Sequence, residues 1–97
     1  MQTERKPRPL FAVGDVVATH GAMDAMEGDR DLAHMLICRH MCGDWGDICA
    51  DDRGANEAAL RHGSRLMSVY RLVGGETLWL ITEADRSITT LLTPDEY

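Results

Sequence analysis

His34, Cys38 and Cys42 recur every four residues, with His40 and Cys49 close by in the 97-residue chain. That interval places side chains on one stripe of a helix, and thiolate and imidazole are the usual ligands of zinc. Eight helical residues nevertheless rise about 12 Å, too far for His34 and Cys42 to share one ion. A site would need Cys38 and Cys42 together with Cys49 or a second histidine folded back onto them. The preferred reading is no metal and no cofactor, with helical cysteines packed as small hydrophobes.

A second constellation is richer in polar groups. Arg39-His40 is followed by Gly43-Asp44-Trp45-Gly46-Asp47, and a histidine within hydrogen-bond reach of carboxylates can act as a general acid or base. Glu83, Asp85 and Arg86 could complete the site of a small enzyme or nucleic-acid-processing factor. Against this, no residue is a nucleophile with a paired base. Ser64, Ser68 and Ser87 lack a G-x-S-x-G setting, and neither G-x-G-x-x-G nor a phosphate-cradling loop occurs. The expectation is therefore structural: Arg39 and Arg86 paired with carboxylates, Trp45 plugging the core, and the glycines at unusual backbone angles. Arg39, His40, Asp44, Trp45, Asp47, Glu83, Asp85 and Arg86 stand as candidate interaction residues, with no catalytic residue assigned.

These groups must be positioned by regular elements. Residues 66–92 read as three β-rich runs, LMSVYRLV, TLWLIT and ITTLL, broken by GGE and EADRS. Gly74-Gly75 suits a two-residue hairpin turn, so a meander with residues 77–82 in the middle is predicted. Residues 16–19 make a plausible edge strand. Asp29 is a natural N-cap, Leu32, Met35, Leu36 and Met41 fall at helical spacing, and Gly43 suits the end, so the main helix is predicted over 30–42. Asp51 or Asp52 would cap a second helix through 55–61, stopped by Gly63. Residues 22–27 are good helix formers but too short to hold unless packed. Leu78 and Leu80 alternate with Trp79 and Ile81, so the middle strand needs cover on both faces. The predicted class is α+β, a three- to four-stranded antiparallel sheet (meander 66–92) packed with two helices. Residues 1–9 form a flexible basic arm and 10–97 a single domain.

Composition narrows the partners. With 44% hydrophobic residues the chain supports one modest core. No apolar run approaches the ~20 residues needed to cross a bilayer, and no secretory signal pattern is present, so a cytoplasmic protein without membrane contact is predicted. The three cysteines, odd in number and crowded together, are expected to stay reduced. Net charge is −6; Arg5, Lys6 and Arg8 against Glu4 give the first nine residues +2, leaving −8 for residues 10–97. An acidic body repels nucleic-acid phosphates and favours a host protein or nucleoprotein with a basic surface. A homodimer is a further expectation, through an exposed strand edge or the methionine-rich stretch 23–41.

The sequence also resembles a small uncharacterised bacterial family carried on plasmids and integrative elements. The resemblance rests on Val17-Ala18-Thr19-His20-Gly21-Ala22, Arg39-His40 with Gly43-Asp44-Trp45-Gly46-Asp47, Asn56-Glu57 with Ala59-Leu60, Ile81-Thr82-Glu83-Ala84-Asp85-Arg86-Ser87 with Thr89-Thr90, and Pro94-Asp95-Glu96-Tyr97. It covers nearly everything after the basic arm. Some members carry the label of a type I restriction modification subunit, which does not suit this chain: it is too short for a methyl-donor-binding sheet and lacks the glycine-rich loop. Proline usually stands where this chain has His20, and Cys38 and Cys42 are not required. The resemblance transfers no catalytic residue. Joined to the acidic body, it implies a non-enzymatic mobile-element protein, most concretely an inhibitor of host defence of the anti-CRISPR or anti-restriction type.

Overall fold

The computed structural model describes residues 8–97, so most of the basic arm lies outside the described residues. The sequence folds as α+β: strand β1 (Asp15–Ala18), helices α1 (His20–Ala25), α2 (Arg30–Met41) and α3 (Ala50–His62), then strands β2 (Leu66–Arg71), β3 (Thr77–Thr82) and β4 (Ile88–Leu92), ending in a 3-10 turn at Pro94–Glu96. The sheet order is β1-β4-β3-β2. The meander is present with β3 inside, where Trp79 pairs with Val69 on one side and Leu92 on the other.

Three features differ from the sequence expectation. The added strand runs parallel to β4, so the sheet is mixed. The connection permits this direction, because β1 reaches β4 through most of the chain rather than through a hairpin, which would impose antiparallel pairing. The β2–β3 reversal is not centred on Gly74-Gly75: Gly75 N–H donates to Leu72 O at 2.9 Å, which makes Val73 and Gly74 the central pair. Only Gly75 takes a left-handed angle, φ 98°, as in a turn closed by a glycine bulge. Helices number three among the described residues, since residues 20–25 are held by packing: Ala22 is fully buried and Met26 nearly so.

Local signals explain the helix limits. Asp29 caps α2 by accepting from Leu32 N–H at 3.0 Å. Gly43, at φ 84°, lies just past the Cys42 cap, and Gly63, at φ 74°, ends α3. The second helix begins earlier than Asp51 and Asp52 suggested: Cys49 occupies the cap, and both aspartates lie in the first turn, where they favour the helix dipole.

All three helices pack on one face of the sheet. Ala22, Met26, Leu36, Tyr70, Leu72, Leu78, Leu80 and Leu91 form the main core, and Trp45, Ala59 and Leu66 a second cluster with Phe11 beside it. The opposite face is covered in part by the C-terminal turn, where Tyr97 packs on Trp79 at 5.3 Å between ring centroids. Glu96 anchors that turn to β1 and α1, accepting from the Thr19 hydroxyl and from Gly21 N–H. These bonds, the Thr19 hydroxyl first, hold its carboxyl down at about 2.

The two sheet edges are treated unlike each other. On β2 the backbone groups of Met67, Val69 and Arg71 face outward, and the four of Met67 and Val69 are satisfied. Asn56 bonds Met67 as a second strand would, Nδ2 donating to O at 2.7 Å and Oδ1 accepting from N–H at 3.1 Å. Val69 N–H donates to Trp45 O at 3.0 Å and its carbonyl accepts from Asp47 N–H at 2.7 Å. On β1, all four residues are exposed.

Candidate functional site

His40, in the last turn of α2, points into the sheet and is fully buried. Its Nδ1 lies 2.5 Å from Ser68 Oγ on β2 and its Nε2 2.9 Å from Thr82 Oγ1 on β3. Thr82 in turn lies 2.7 Å from Thr89 Oγ1 on β4, and the Thr89 hydroxyl donates to Val13 O at 2.8 Å. A hydroxyl has one proton to give, so the last bond fixes the direction of the rest. Thr89 is committed to Val13, hence Thr82 donates to Thr89 and accepts from His40 Nε2–H. Nδ1 is then the acceptor, and Ser68 donates to it. This tautomer is inferred from the network; it requires a neutral ring.

The surroundings enforce that neutrality. Phe11 and Trp45 set ring edges and faces against the imidazole, at centroid distances of 5.1 and 5.7 Å, and its hydrogen-bond partners are hydroxyls, not carboxylates. Burial therefore pushes the His40 pKa down to about 4. The candidate base is neutral, oriented and closed to solvent, holding α2 to β2 and β3 directly and to β4 through Thr82. Every buried side-chain polar atom among the described residues has a partner, as a core polar network requires.

The Gly43–Asp47 segment closes over this core. Arg39 and Asp44 form a two-point ion pair, Nε to Oδ2 at 2.7 Å and Nη2 to Oδ1 at 3.3 Å. That bond raises the arginine's pKa and lowers the carboxylate's. The Arg39 guanidinium also sits 4.6 Å over the Tyr70 ring, and the Tyr70 hydroxyl donates to Asp44 O at 2.5 Å. Burial carries Tyr70 up to about 12. Trp45 is buried, as expected of a core plug. Gly46 is required by geometry: it has φ 76°, and a Cβ there would stand 2.0 Å from Val69 O. The Asp47 side chain is exposed; its contribution to this junction is its backbone N–H.

Glu83, Asp85 and Arg86 form a separate junction. Arg86 was expected to meet a carboxylate; instead it donates to backbone carbonyls, Nη1 to Ser64, Glu83 and Ala84 and Nη2 to Ala59, at 2.6–3.2 Å. It thereby ties the end of α3 to the β3–β4 turn, adding a charged donor to carbonyls at a helix end where the dipole favours a cation. Its own backbone is left-handed, φ 63°. Phe11 lies between this guanidinium and His40, 5.8 Å from the former. Glu83 reaches Arg65 at 3.6 Å, and Asp85 accepts from Ser87 N–H and hydroxyl, which lowers its pKa.

The cysteines are not core filler. Cys38 and Cys49 are exposed and Cys42 is half-buried. His34 Nε2 approaches Cys38 Sγ to 3.6 Å, while among the described residues no group of three or more His, Cys, Asp or Glu side chains is placed to hold a metal ion. No helix among them is long and apolar enough to cross a membrane.

Sequence reasoning missed Ser68, Thr82, Thr89 and Asn56. A signal existed for two of them, Ser68 and Thr82. Leu66, Ser68 and Tyr70 share one strand face, as do Leu78, Leu80 and Thr82, and a polar residue in a core-facing series calls for a buried partner. Also unforeseen is a groove of about 590 Å³ between α2 and the β2–β3 turn, with Leu32, Met35, Leu72 and Val73 along it and Glu27, Asp29 and Glu76 at its rim. Comparison with protein-family models, curated proteins and solved structures returns no match.

Proposed function

We propose that this is a non-enzymatic interaction protein which docks a basic, amphipathic segment of a host protein or nucleoprotein in the groove between α2 and the β2–β3 turn. The observation that carries the reading is the groove's make-up. Apolar side chains that a monomer leaves in water, Met35 at 50% and Val73 at 108% relative exposure, stand beside the exposed carboxylates of Glu27, Asp29 and Glu76, which outweigh the lining's two arginines, Arg71 and the Asp44-paired Arg39. Asp24 and Asp31 are exposed close by in sequence. Apolar anchors within a charged rim are the usual composition of a docking surface, and the charge steers encounter with a basic partner. On a plasmid or integrative element, such a protein would act as an inhibitor of a host defence complex, of the anti-CRISPR or anti-restriction kind, by covering a basic surface meant for nucleic acid.

The test is capture from the native host with wild-type protein, Met35→Glu, and Glu27→Lys with Glu76→Lys. A partner held by wild type at low salt, released as salt rises and lost from both variants supports the reading. A partner retained by both variants refutes the groove, and turnover of a small substrate by the purified chain would refute the non-enzymatic assignment.

A further inference from the structure

We infer that β1 is a dimerisation edge, through which two copies of this chain pair antiparallel about a two-fold axis at Val17 to form one continuous eight-stranded sheet. Asp15 N–H donates to Ser87 O at 2.9 Å and Thr19 N–H to Leu91 O at 3.0 Å. Residues 15, 17 and 19 therefore aim their backbone groups at β4, and Val16 and Ala18 aim theirs outward. Among the described residues these outward groups have no hydrogen-bond partner. The side chains around them are apolar and wet: Val16 is 42% exposed, Val17 48% and the neighbouring Ile88 39%. An open strand edge of this kind is a template for another strand.

The register follows from which groups face out. An antiparallel copy satisfies the outward groups when Val16 of each chain meets Ala18 of the other, giving four interchain backbone bonds. Val17 then faces its own copy as a non-hydrogen-bonded pair, in which side chains lie closest. Asp15 falls opposite Thr19 of the other copy, so no carboxylate faces a carboxylate across the pairing. The ladder cannot slide toward the N-terminus, because Gly14 leaves the extended conformation at φ 65°, nor toward the C-terminus, where α1 begins at His20. Closure favours a second copy over an unlimited array. Pairing about a two-fold uses β1 of both copies, and Met67 and Val69 on β2 are already covered by Asn56, Trp45 and Asp47, so pairing stops at two. Both copies carry the same net charge of −6, so association strengthens as salt screens their repulsion. This is opposite to the salt response of the basic partner proposed above and separates the two.

Sedimentation or light scattering of the full chain over a concentration series, at low and high salt, gives the first readout. The expected result is a monomer–dimer equilibrium that tightens with salt. Val17→Asp places two carboxylates together on the axis and should raise the dimerisation midpoint by about tenfold or more, with unchanged circular dichroism. Val17→Cys, in a background of Cys38→Ser, Cys42→Ser and Cys49→Ser, should form an interchain disulfide under mild oxidation. A monomer at every concentration and salt overturns the inference. So does a dimer that Val17→Asp leaves intact, or one in which Val17→Cys does not cross-link. Should Val17→Asp unfold, the cross-link decides.

Discussion

Acidification should act on this fold first through His40. The imidazole is neutral in the folded chain, with its pKa at about 4, whereas an unfolded histidine titrates near 6.5. Between these values the unfolded chain binds a proton that the folded chain refuses, so stability is complete above about pH 6.5 and falls as the pH is lowered, levelling near 4. The gap between the two values corresponds to about 3 kcal/mol in full. About 2 kcal/mol of it is lost between pH 7 and 5, above the range in which Asp44, Asp85 and Glu96 take up protons. Two kcal/mol is a large share of the stability of a domain this size.

Urea denaturation at half-unit steps from pH 7.5 to 5 measures the slope directly. His40→Gln removes the titrating ring while leaving an amide able to donate and accept. The variant should be less stable at pH 7, but its stability should vary with pH by about 2 kcal/mol less than wild type over the same interval. Equal slopes in the two proteins would refute the assignment of the acid response to this residue. A wild-type slope of opposite sign would refute the neutral, buried ring itself.

Other perturbations test the junctions around it. Thr82→Val leaves the buried His40 Nε2–H without an acceptor, while the Thr89 hydroxyl keeps its bond to Val13 O, and should cost about 1–3 kcal/mol by chemical denaturation. Gly46→Ala combines a left-handed angle with a 2.0 Å clash against backbone and should cost more than about 3 kcal/mol, visible as a loss of the near-ultraviolet signal of Trp45. Asn56→Ala strips the Met67 edge of both its bonds and should cost about 1–3 kcal/mol, with faster amide exchange at Met67. Asp47→Asn should change stability by less than about 0.5 kcal/mol, because the backbone at this position makes the junction.

How far the sequence carries depends on the range of the interaction. Asp29, Gly43, Gly63 and the period-two alternation of residues 77–82 act over a few residues, and the main helix and the meander were legible from them. The parallel sense of β1 was not, because strand direction without a hairpin is set by the whole intervening path. His40 was singled out for the right reason, a titratable ring amid polar residues, yet its partners Ser68 and Thr82 lie 28 and 42 residues away. Local pattern marks Ser68 and Thr82 as polar residues facing inward but does not say what they meet. Arg86 misled in a related way. Carboxylates nearby in sequence suggested an ion pair, while the folded chain brings carbonyls from the ends of α3 and β3 to the same guanidinium.

The group-by-group uses of the polar cluster bear on where binding can occur. Trp45 and Asp47 spend backbone groups on closing β2, Arg39 and Asp44 satisfy each other, Tyr70 is committed to Asp44 O, and Arg86 holds α3. Recruiting any of these for a ligand would first break a bond that completes the fold, and truncating one would change stability and binding together. Val73, Met35, Val16 and Val17 have no such duty: they are exposed, and replacing them removes little that holds the chain together. A loss of binding on substituting these four therefore reports the surface itself, and this separates a docking role from a structural one.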